Sequence, residues 1–126
     1  MMKPIRTAVL FALVTMLGVS TMWAAEKSTT LKGYVIDSAC TFTKNLKRPV
    51  SPECAVACAK SGSPLVILTA AGMIYLPITD EMPAKGQNER LMEFAGKKVS
   101  VTGKVFAKGG SHAIVIEKID AAPAGK

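Results

Sequence analysis

The chain has 126 residues, a formal net charge of +7 at pH 7 and three cysteines. A chain of that length, less an expected leader, is expected to form one domain with one core. Aromatic residues make up 6% of the chain, too few for a base-stacking platform, and the basic residues are scattered apart from a cluster at Lys44, Lys47 and Arg48, so nucleic acid is not expected as a partner.

Lys3 and Arg6 form a positive n-region, Ala8 to Val19 is an apolar stretch without charge, and small residues follow at Ser20, Ala24 and Ala25. This is the layout of a secretory signal peptide, and its apolar run is short of the ~20 residues that a bilayer span needs. The sequence therefore predicts a cleaved leader over 1–25, a periplasmic or secreted location, and no stable membrane span once the leader is removed. No cysteine stands near the cleavage region, which disfavours a lipid anchor. A single β domain is expected over 26–120, followed by a flexible tail over 121–126.

Within that domain, Leu31 to Ile36 is a strand candidate closed by Asp37-Ser38. Cys40 to Val50 is basic and reads as irregular. Ser51-Pro52-Glu53 supplies an N-cap, a proline in the first turn and an early acid, so a short helix is predicted from Pro52 to about Lys60, stopped by Gly62 and Pro64. Leu65 to Thr69 and Met73 to Ile78 are β-leaning runs joined by Ala70-Ala71-Gly72, the second and third strands. Gln87 to Ala95 reads as a second short helix that ends at Gly96. Lys98 to Phe106 alternates, with Val99, Val101 and Val105 on one face, and is the fourth strand. Lys108-Gly109-Gly110 is a turn, and His112 to Ile119 is the last strand. The order predicts a mainly β fold: a small five-stranded OB-like Greek-key barrel, with a Cys-bearing helix inserted between strands one and two and a short helix between strands three and four. Such barrels commonly take ligands on strands two and three and through the loops joining strands one to two and four to five.

The three cysteines, Cys40, Cys54 and Cys58, all fall in or beside the insertion. In an oxidising compartment two of them usually pair, leaving the third free, metal-bound or joined to a second chain as a disulfide-linked dimer. Cys54 and Cys58 share a helix face and are poorly aimed at each other, so Cys40 is the shared partner for either, and such a bridge braces the domain by about 3 kcal/mol. A second reading has the three thiolates converge on one soft ion, Cu(I) or Zn(II), with His112, the sole histidine, completing a Cys₃His set from the strand-four to strand-five loop. A third reading is thiol chemistry at Cys54, in the first helical turn. Its Cys-x-x-x-Cys spacing is not the Cys-x-x-Cys of thioredoxin-like enzymes. Asp80-Glu81 and Glu89/Glu93 read as solvated pairs, and Met73, Met82 and Met92 as packing residues. No catalytic constellation is indicated.

On Asp37-Ser38-x-Cys40, Cys54-Ala55-x-x-Cys58, Gly72-x-x-Tyr75 and Gly96-Lys97-Lys98-Val99-x-Val101-x-Gly103, the chain resembles a group of small exported bacterial proteins, mostly uncharacterised, over about Leu31 to Ile119. The resemblance implies an exported OB-like domain and supplies no substrate. Members often carry a histidine three residues before the second cysteine, in a His-x-x-Cys-Ala pattern. Ser51 stands there in this chain; if that histidine is a metal ligand in the group, this chain lacks it, which weighs against the metal reading. The sequence is thus read as an exported binding module for an unknown protein or small ligand, with a Cys-braced insertion, or alternatively as a thiol-based copper, zinc or redox protein.

Overall fold

The protein is described by a computed structural model over residues 27–123. The expected leader, residues 1–25, lies outside the described residues, as do residues 124–126 of the expected tail. Strands β1 (Ser28–Asp37), β2 (Leu65–Thr69), β3 (Ile74–Ile78), β4 (Lys98–Lys108) and β5 (Ser111–Ala121) close into a barrel in the order β1-β2-β3-β5-β4. Every neighbouring pair is antiparallel except β3 and β5, which run parallel. This is the strand order of the OB barrel. The insertion between β1 and β2 holds two helices, α1 (Ser38–Thr43) and α2 (Pro52–Lys60). A third short helix, α3 (Asn88–Leu91), and a 3₁₀ turn at Met92–Phe94 join β3 to β4.

Three elements differ from the sequence reading. Cys40 lies inside α1 and not in an irregular segment, because Asp37 caps that helix. The predicted helix over Gln87 to Ala95 is a single α-turn followed by a 3₁₀ turn. The last strand runs to Ala121, and the Ala122 N–H donates to the carbonyl of Lys98 at 2.8 Å, so pairing reaches into the stretch expected to fray.

The barrel interior is filled by Val35, Leu65, Ile67, Val99, Val101, Ile114 and Ile116, and the same cluster includes Ala55 and Ala59 of α2. Helix α2 therefore packs on the barrel core through two small side chains that let its backbone approach. Ile36, Val66 and Leu68 form a second cluster, covered by Leu46 of the insertion and by Ile74. Burial on both faces explains why β2 reads as an unbroken apolar run and not as an alternating one. Two glycines permit close approach. Gly96 has φ +79° and lies where a Cβ would come 2.4 Å from Cα of Pro52, the first residue of α2. At Gly103 a Cβ would meet the Val115 carbonyl oxygen at 2.0 Å, next to the register shift between Thr102 and Gly103.

Candidate metal centre

Each cysteine-bearing helix opens in the same way, with a capping side chain three residues ahead of a cysteine. Asp37 caps α1 in extended backbone, and its Oδ2 accepts the Cys40 N–H at 2.9 Å. Ser51 caps α2, and its Oγ accepts the Cys54 N–H at 3.1 Å. These bonds satisfy amide donors that a helix start otherwise leaves unpaired. Ser51 thus has a capping role. Cys58 follows Cys54 by one turn, at the end of α2 that Gly62 and Ser63 close: Ser61 N–H and Ser63 N–H both donate to the Cys58 carbonyl.

The two helices are tied to one another through Asp37. It is 2% exposed, and besides its capping bond its Oδ2 accepts from Ser63 Oγ at 3.4 Å, while Ser38 N–H donates to Pro64 O at 2.8 Å. From the other side, Asn88 reaches into the gap where β2 and β3 part. Its Oδ1 accepts the Leu65 N–H at 2.8 Å, and its Nδ2 donates to the carbonyls of Ala59 and Ser63 at 3.2 and 2.8 Å.

This scaffold brings all three cysteines together. They are free and half-buried, and their sulfur atoms all lie within 4.8 Å of one another. A three-sulfur centre with metal–sulfur bonds of about 2.3 Å has its sulfurs about 4 Å apart, so the trio is close enough to hold a metal ion. His112 is not part of this set. The parallel β3–β5 register places it beside Tyr75, with the two ring centroids 5.5 Å apart, and its strand carries it away from the Cys₃His arrangement considered from sequence. Met73 and Met82 are exposed, and among the described residues the three thiols alone form the donor set.

Two of the thiols, Cys40 and Cys58, hold their protons more tightly than usual. The Cys40 thiol is pushed up to about 11 from its ordinary 9.0, first because its S–H donates to the Asp37 carboxylate, then by burial and by the Asp37 charge. The Cys58 thiol is raised too, by burial first and then by the charges of Asp37 and Cys54. Neither has the lowered pKa of a redox nucleophile. A metal entering the site has to displace these protons, so it competes with hydrogen ions for the sulfurs.

No family model, no curated protein and no solved structure matches the chain. The reading of the site therefore rests on its own geometry. Sequence reasoning found the three cysteines and the cap of α2 but missed Asp37 and Asn88. Asp37 carried a signal, since Asp-Ser-Ala-Cys repeats the cap-x-x-Cys spacing of Ser51-Pro52-Glu53-Cys54. Asn88 carried none, because its partners lie 23 to 29 residues away along the chain.

Proposed function

We propose that the chain works outside the cytoplasm as a small OB-type barrel that holds one soft metal ion, Cu(I) or Zn(II), among Cys40, Cys54 and Cys58. The observation that carries this is the convergence of three sulfurs from two helices within 4.8 Å. Thiolate donors select soft or borderline ions, and a sulfur-only set disfavours magnesium and calcium, which need oxygen ligands. The export layout of the first 25 residues and the resemblance to small exported bacterial proteins support the location. Cys40, Cys54 and Cys58 would hold the ion as thiolates, their protons released to solvent, and Asp37 beside Cys40 sets how tightly that thiol keeps its proton until then. The test is titration of the reduced protein with Zn(II) or with Cu(I) against a competing chromophoric chelator. One ion bound per chain, and none bound after replacement of all three cysteines by serine, is the expected result.

The same proximity favours a second reading, in which Cys40 is bonded to Cys54 or Cys58 and the insertion is a covalent brace for a binding module. Successive turns of α2 present both partners to Cys40. This reading predicts a loss of two hydrogens in the intact mass, one alkylatable thiol and no metal, and it leaves the odd cysteine available for a disulfide-linked dimer.

A further inference from the structure

Among the described residues six large hydrophobic side chains stay exposed, and four of them, Phe42, Met73, Leu76 and Phe106, line one groove. They come from α1, the β2–β3 turn, β3 and β4, so the fold gathers them from four places in the sequence. Phe42 is the most open of the four, at 71% exposed. The groove has a volume of about 560 Å³, within the range of sites that enclose small molecules, and a contiguous apolar patch with a polar rim marks a binding surface.

Its charge selects the occupant. Lys108 lines the groove, Lys47 lines an adjoining groove that shares Phe42, Gly72 and Ile74, and among the described residues no Asp or Glu lines either one. The insertion beside Phe42 adds Lys44 and Arg48, with no acid between Asp37 and Glu53. Among the described residues none of these four cations makes an ion pair. Among the described residues the strands close into a barrel, which leaves no full-length strand edge on which a peptide could add. A symmetric pairing of two copies through this face would set the same cations against each other.

We propose that this groove binds an anionic amphiphile, a single apolar chain ending in an acid, with the chain laid over Phe42, Met73, Leu76 and Phe106 and the acid directed to the lysine rim. The site is separate from the cysteine trio and does not depend on metal.

The experiment is isothermal titration of the protein with dodecanoate below its micellar concentration. Dodecyltrimethylammonium serves as a cationic control of the same chain length, and a single-stranded oligonucleotide and vesicles of phosphatidylglycerol provide two further arms. The expected result is one site for dodecanoate, weaker at high salt, no binding of the cationic control, and affinity reduced about tenfold in either Phe106→Ser or Lys108→Glu. Both residues are exposed, and circular dichroism checks that each variant remains folded. Equal binding of the cationic amphiphile, unchanged affinity in both variants, or binding confined to the oligonucleotide or to vesicles would overturn the proposal.

Discussion

Asp37 joins the β barrel to the chemistry of the cysteines through one buried carboxylate. It ends β1, caps α1 and receives the Cys40 S–H, so a single residue fixes both the position and the protonation of that sulfur. Because the folded pKa of Cys40 is raised to about 11 from 9.0, the fold holds this proton more tightly than the unfolded chain does. That contribution to the stability of the metal-free protein is fully present below pH 9 and is lost as the pH rises toward 11. Denaturant unfolding of the reduced protein across this window should show falling stability. Asp37→Asn keeps an oxygen for the Cys40 N–H and removes the negative charge. In a background with Cys54 and Cys58 replaced by serine, its Cys40 should become alkylatable at lower pH than in the Asp37 parent. An unchanged alkylation profile would separate Asp37 from control of the thiol.

At the level of elements, the site depends on how α2 is seated. Gly96 and Asn88 do this from opposite sides, one against Pro52 at the start of the helix and the other against the Ala59 and Ser63 carbonyls near its end. Gly96→Ala meets both a positive φ and a backbone neighbour that cannot rotate away, and should cost about 2–4 kcal/mol in chemical denaturation. Asn88→Ala removes three hydrogen bonds and leaves the Leu65 amide without its partner, for a loss of about 2–3 kcal/mol by the same measurement. Much of this level was legible beforehand. The Ser51-Pro52 start, the Gly62 stop and the apolar run of β2 mark their elements through local rules of capping, backbone freedom and burial. Helix α1 was not, because six residues without an apolar stripe give no periodicity, and only its cap betrays it. The seating of α2 was not legible either, since it comes from contacts between segments distant in the chain.

For the molecule as a whole, the sequence order of strands and helices was enough to indicate the barrel, because β-hairpin turns and one helix between the third and fourth strands leave few ways to close five strands. The convergence of the thiols was open in the sequence: Cys54 and Cys58 share a helix face by spacing, but Cys40 reaches them only because α1 turns back over Asp37. His112 shows the limit of such reasoning. The strand-four to strand-five loop does lie near the insertion, since His112 and Phe42 line one groove, yet the imidazole sits beside Tyr75 and outside the sulfur cluster. A bound ion that prefers the folded chain stabilises it by mass action. Zn(II) or Cu(I) should therefore raise the melting temperature of the reduced protein, and a chelator should return it to the metal-free value.

The most direct test is native mass spectrometry of the reduced protein after exposure to one equivalent of Zn(II) or Cu(I), with thiol alkylation of the same sample in parallel. A site built from the three cysteines predicts one ion per chain, protection of all three thiols from alkylation while the ion is bound, and loss of the ion in the Cys40→Ser variant. A protein that takes up no ion while all three thiols alkylate freely would contradict it.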